Sequence, residues 1–172
     1  MRFFFYGSLI DPAIRAAVMG PAAAGCRAVP AILVGWRRHA CRHAIYPVLQ
    51  RRRGGRVSGC LVDGVDPAAA ARLTAFEGRN YRVATVHLQT KGGRCAAYVF
   101  LPSRRIADPG EWNEADWLRG RKARALRDAR ALMGWLGRKS VRESRGRWQR
   151  RARLSESPWS GAQALAAGQL VG

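Results

Sequence analysis

Met1-Arg2-Phe3-Phe4-Phe5-Tyr6-Gly7-Ser8-Leu9-Ile10-Asp11-Pro12 is the stretch on which the reading of this chain turns. Phe3 to Tyr6 is apolar without alternation, the pattern of a short strand covered on both faces. The run stops at Gly7-Ser8. Asp11 then has the chemistry of a helix N-cap, and Pro12 suits the first helical position, where an N–H would have no partner. A glycine directly after a buried strand lets the chain turn sharply and brings backbone N–H groups close to whatever lies beyond the strand end. The spacing leaves two readings open: an ordinary strand-to-helix turn, or a backbone cradle for an anion or a developing oxyanion.

Outward from this turn the chain alternates short elements. Ala13 to Met19 reads as a helix closed by Gly20 and Pro21. Val29 to Trp36 reads as a strand that Arg37 to His43 either continues or leaves as a polar loop, and Tyr46 to Leu49 is a short extended piece. Arg51 to Arg56, with Gly54-Gly55 inside it, has the composition of an exposed hairpin tip. Val57 to Val65 is the next strand, and Gly59 within it marks a bulge or a close backbone approach. Asp66-Pro67 repeats the helix-start signal of Asp11-Pro12, and the alanine-rich helix it opens runs to Phe76 before Glu77-Gly78. Tyr81 to Thr90 and Arg94 to Leu101 form a hairpin across Lys91-Gly92-Gly93. Pro102 to Gly110 reads as a loop. Asn113 caps a longer helix whose rough apolar stripe runs from Trp117 to Leu136.

The expected fold class is therefore α+β: a small mixed β-barrel with flanking helices over 1–110, a packing helix over 111–137, and a basic helical C-terminal extension over 138–172. Ser155 to Gly172 shows no periodicity, and flexibility is expected there.

Composition narrows the function classes. A chain of 172 residues with 48% hydrophobic content can bury a real core and is not wholly disordered. Its formal net charge is +20, and all its basic residues except Lys91, Lys122 and Lys139 are arginine. Charge is densest from Arg119 onward. Such a surface attracts polyanions non-specifically, and Trp148 among arginines permits base stacking, but no nucleic-acid module is legible. Any nucleic-acid contact is expected to be non-specific and through the tail. Cys26, Cys41, Cys60 and Cys95 form neither a disulfide framework nor a zinc ribbon. Asp11, Pro12 and Arg15 interrupt the first apolar run too early for a signal peptide. No stretch reaches the roughly 18 apolar residues of a membrane span. Cytoplasmic location with reduced thiols is the expectation.

Catalytic candidates are few. The chain has 11 acidic residues, and most fall at caps, in turns or in the basic C-terminal third. Glu77 differs: it follows the last turn of an apolar helix, with Phe76 before it and Gly78 after it. It is either a surface glutamate or a partly desolvated acid/base. Negative charge at a helix C-terminus is unfavourable, so helix stability does not account for it. No glycine-flanked serine elbow is present. His39, Cys41 and His43 fall on one face of a strand but converge poorly on one ion, so no metal is expected.

Together these stretches make the chain resemble the gamma-glutamylcyclotransferase-like family. The residues that carry the likeness are Tyr6-Gly7-Ser8-Leu9, Tyr46-Pro47, Gly55-Arg56-Val57-Ser58-Gly59, Phe76-Glu77-Gly78, Tyr81 and Tyr98-Val99, over about residues 2 to 101. The resemblance implies a small barrel with a cavity at its mouth. In it the Tyr6 to Leu9 turn binds substrate through its backbone, Tyr81 also contributes to substrate binding, and Glu77 is the general acid/base. Members often carry an arginine two residues after that tyrosine. Here Arg82 is adjacent to Tyr81 and belongs to the opposite face of the strand. The implied reaction is an acyltransferase- or lyase-type cyclisation of a gamma-glutamyl amide to 5-oxoproline and a free amine, without cofactor or metal. Alternatives are a related transfer or hydrolysis on a small amide, and an inactive barrel acting as a binding or regulatory module with the arginine-rich tail on nucleic acid or an acidic partner.

Overall fold

The computed structural model describes residues 1–41, 47–103, 107–136 and 138–155. The strands are β1 (Phe3–Phe5), β2 (Arg27–Cys41), β3 (Pro47–Asp63), β4 (Tyr81–Thr90), β5 (Gly93–Pro102) and β6 (Ala107–Glu111), with α-helices between β1 and β2, between β3 and β4 and after β6. The helices are α1 (Pro12–Met19), α2 (Pro67–Glu77), α3 (Glu114–Gly120), α4 (Lys122–Trp135) and α5 (Arg138–Ser155). The strand order is β3-β1-β5-β4-β2-β6, and β2 pairs back onto β3, so five strands close into a barrel with β6 attached to the edge of β2. Among the described residues only β1 and β5 run parallel; the other pairs are antiparallel. The mixed barrel with flanking helices is the architecture expected from the sequence.

The absence of alternation in β1 has a direct physical cause. Phe4 and Tyr6 point into the barrel interior, with Leu33, Leu88 and Val99. Phe3 and Phe5 point the other way, into a second core between the sheet and the helices, with Ile14, Leu73 and Met133. Phe3, Phe4 and Phe5 are all at most 3% exposed. At about 2 kcal/mol for each large apolar side chain buried, this three-residue strand holds the two cores together. Gly59 on β3 admits the close approach of β1: a Cβ there would lie 2.4 Å from the Phe5 carbonyl oxygen and 2.6 Å from the Phe4 ring.

The helix starts follow the sequence signals. The Asp11 carboxylate accepts from Ala13 N at 2.9 Å and Ile14 N at 3.2 Å, and Asp66 accepts from Ala69 N at 2.6 Å. Four residues of α2 (Ala69, Ala70, Ala71 and Leu73) are fully buried because α1 and α5 both pack on it. Small side chains permit that close packing.

Several expectations are corrected. The chain from Arg51 to Arg56 is no hairpin tip: it lies inside β3. The pairing jumps from Val34↔Arg56 to Trp36↔Arg51, so residues 52–55 bulge out opposite Gly35. Long-range pairing of β2 with β3 overrides the local turn composition. The loop expected at Pro102 to Gly110 contains β6, whose partner is the far end of β2 (His39↔Glu111, Cys41↔Ala107). The longer helix expected after Asn113 is two helices, broken at Arg121. Trp148, placed by the sequence in the basic extension as a residue open to base stacking, is 4% exposed. Its indole N–H donates to Thr74 Oγ1 at 2.8 Å, and its ring lies 5.2 Å from those of both Phe3 and Tyr98. It docks α5 on α2. Tyr46, His43 and residues 156–172 lie outside the described residues.

Candidate active site

The turn after β1 is built from both ends. At its start, the Tyr6 hydroxyl donates to the Phe100 carbonyl at 2.9 Å, which fixes the ring inside the barrel. The chain then leaves the sheet at Gly7 and forms a single 3-10 turn, Ser8–Ile10, closed by Ile10 N–H to Gly7 O (3.0 Å) and Asp11 N–H to Ser8 O (3.1 Å). At its end, the Asp11 carboxylate receives Lys122 Nζ at 2.6 Å as well as the α1 amides. Burial would raise the Asp11 pKa, but the Lys122 hydrogen bond and the amides of Ile14 and Ala13 outweigh it and hold the carboxyl below its usual range. Gly7 is closely packed: a Cβ there would stand 3.1 Å from Pro47 Cδ, so Pro47 would have to shift by a few tenths of an ångström. Among the described residues, no carbonyl accepts from the N–H groups of Gly7 or Ser8.

Glu77 is the last residue of α2, and Gly78 (φ 69°) ends the helix with its N–H on Thr74 O at 3.1 Å. Glu77 is half-buried and lines a cavity, where its carboxyl has restricted access to water. Among the described residues neither an ion pair nor a hydrogen bond offsets the lost water. Desolvation alone pushes its pKa from 4.5 up to about 8.

The turn and the glutamate meet at that cavity, whose volume is about 330 Å³, within the range of small-molecule sites. Tyr6, Gly7, Ser8, Leu9, Glu77 and Tyr81, the six residues singled out in the sequence, all line it. Arg82 is exposed and lies outside the lining. Sequence reading missed one wall. Ala125, Asp128, Ala129 and Leu132 of α4 close the side facing the turn. Their apolar spacing signalled packing, but nothing in it named the packing partner. Asp128 sits at the rim, largely exposed, with Arg124 at 3.5 Å one helical turn away. The cavity therefore combines open backbone donors, apolar walls and one acid poised near neutral pH. That combination can stabilise an oxyanion and transfer a proton.

Among the described residues, no group of three His, Cys, Asp or Glu side chains is placed to hold a metal ion, and no helix is long and apolar enough to cross a membrane.

A closed five-stranded mixed barrel with helices over one side and a cavity at the end of β1 defines the class of gamma-glutamyl cyclotransferase-like folds. A solved structure titled "Gamma-glutamyl cyclotransferase" matches this fold with a TM-score of 0.52 at 13% identity, over 76% of this chain and 86% of that one. The family model described as "Gamma-glutamyl cyclotransferase, AIG2-like" matches residues 3–119, and the chain belongs to that family. Among curated relatives, Protein AIG2 C of Arabidopsis thaliana is 26% identical over 136 residues, covering 77% of this chain and 81% of that protein. A solution structure of another Arabidopsis thaliana protein matches with a TM-score of 0.56 at 27% identity, over 77% of this chain and 90% of that one. The family match stops before α4, so the α4 wall of the cavity comes from chain beyond it.

Proposed function

We propose that this protein cyclises a gamma-glutamyl amide to 5-oxoproline and a free amine, with Glu77 as the general acid/base. The substrate carries its own nucleophile. Its α-amine attacks the γ-carbonyl carbon, a C–N bond forms, and the carbonyl oxygen becomes an oxyanion facing the Gly7 and Ser8 amides. The Glu77 carboxylate takes the proton released by the attacking nitrogen. It returns that proton to the leaving nitrogen as the original C–N bond breaks, so the enzyme ends the cycle as it began. Tyr81, Leu9 and the apolar face of α4 enclose the folded substrate. Holding amine and carbonyl in contact accounts for a further several kcal/mol of barrier lowering.

One observation carries the reading: an unpaired carboxyl with a pKa of about 8 shares a small cavity with the open N–H groups of Gly7 and Ser8. Family membership supports it. The test is release of 5-oxoproline from a panel of gamma-glutamyl amides that differ in the leaving amine, by wild type and by Glu77→Gln. Turnover of at least one amide by wild type, lost in the variant, is expected. Near-normal cyclisation by Glu77→Gln removes the assignment.

A further inference from the structure

The turn from Tyr6 to Ile10 has its carbonyl oxygens held by arginines from two elements. Arg15 of α1 donates through Nη1 to Leu9 O and Ile10 O, both at 3.0 Å. Arg38 of β2 donates through Nη1 to Tyr6 O at 3.2 Å. The Arg38 guanidinium also lies 4.9 Å from the ring centroid of Trp112, just ahead of α3, which fixes the plane of the fork. In a trans peptide the carbonyl and the following N–H point in opposite directions. Gly7 lines the cavity and Arg38 does not. A Tyr6 carbonyl turned outward to Arg38 therefore turns the Gly7 N–H inward, towards the substrate.

We infer that Arg38 is a positioning residue for the reaction: it acts through the Tyr6–Gly7 peptide, setting the direction of the Gly7 N–H without touching substrate. The guanidinium also polarises the peptide it binds, which makes Gly7 a stronger donor. The inference rests on the reading of this turn as an oxyanion cradle.

Arg38→Ala is expected to lower kcat about ten- to a hundredfold and to leave KM within about threefold, because the Gly7 donor matters most when the oxyanion forms. Added guanidinium at millimolar concentration restores part of the loss. Arg38→Lys keeps the charge but not the planar fork and retains only part of the rate. The matched control is Arg51→Ala. Arg51 also sits over a tryptophan, Trp36 at 4.3 Å, but does not belong to the clamp on this turn; its removal leaves kcat unchanged.

A second readout needs no turnover. Tyr-Gly occurs once in the chain, at Tyr6-Gly7, so carbonyl-labelled tyrosine with nitrogen-labelled glycine isolates this one peptide by NMR. Its amide resonance is expected to move in both Arg38 variants and, in Arg38→Ala, to return towards the wild-type position with guanidinium. If wild type cyclises no amide, the proposed function fails, and this resonance still decides the role of Arg38. A wild-type kcat in Arg38→Ala, or a Gly7 resonance that stays in place without the guanidinium, overturns the inference.

Discussion

Replacing Glu77 with glutamine separates the cost of the buried carboxyl from its use. In the unfolded chain the group titrates near 4.5; in the folded protein it titrates at about 8. The folded state therefore holds the proton more tightly, and stability falls as pH rises through the interval between the two values. The slope is about 1.4 kcal/mol per pH unit, so the penalty is roughly 3 kcal/mol at pH 7 and levels off at roughly 5 kcal/mol above pH 8. Glutamine has nearly the same shape and does not ionise. Any pH-independent cost of its amide shifts the whole curve without changing its slope. Urea unfolding of both proteins from pH 5 to 9 is the assay. The stability of Glu77→Gln relative to wild type should climb with pH up to about 8 and then level off. A difference that stays flat across that range refutes the desolvation argument. The same titration governs catalysis. For wild type, kcat/KM should rise as pH approaches 8 and Glu77 becomes a base. The limb for kcat should lie at lower pH, because a bound substrate ammonium favours the carboxylate.

Three further predictions follow from the packing. Ser8→Pro removes one open amide at a position that starts a 3-10 turn, where proline is tolerated; kcat should fall about a hundredfold with the fold retained, as steady-state kinetics beside circular dichroism will show. In Gly59→Ala the added methyl has no room against Phe5 O and the Phe4 ring. A loss of at least about 1–3 kcal/mol in urea denaturation is expected, and an unchanged midpoint contradicts the close approach of β1 and β3. Trp148→Ala opens the contact among Phe3, Tyr98 and Thr74 and should cost about 3–5 kcal/mol. If that variant is as stable as wild type, α5 does not brace α2 in solution.

What was legible in the sequence was local. Phe3 to Tyr6 declared a strand covered on both faces, Asp11-Pro12 and Asp66-Pro67 declared helix starts, and Lys91-Gly92-Gly93 declared a hairpin turn. Each signal acts within a few residues, through steric limits on the backbone or a cap hydrogen bond. The misreadings share the opposite property. Arg51 to Arg56 looks like a turn, but β2 pairs on both sides of it and keeps it inside β3. Trp148 looks solvated among its arginines, but its partners Phe3, Thr74 and Tyr98 lie far away along the chain.

The candidate site divides the same way. By itself the sequence determined that a glycine-serine turn follows a buried strand and that Glu77 stands at the end of an apolar helix. Only the tertiary structure brought the two to one cavity, closed it with α4, and took water from the Glu77 carboxyl. Desolvation is a property of surroundings, and those surroundings come from β1, α2, β4 and α4 at once. No window of sequence contains them together.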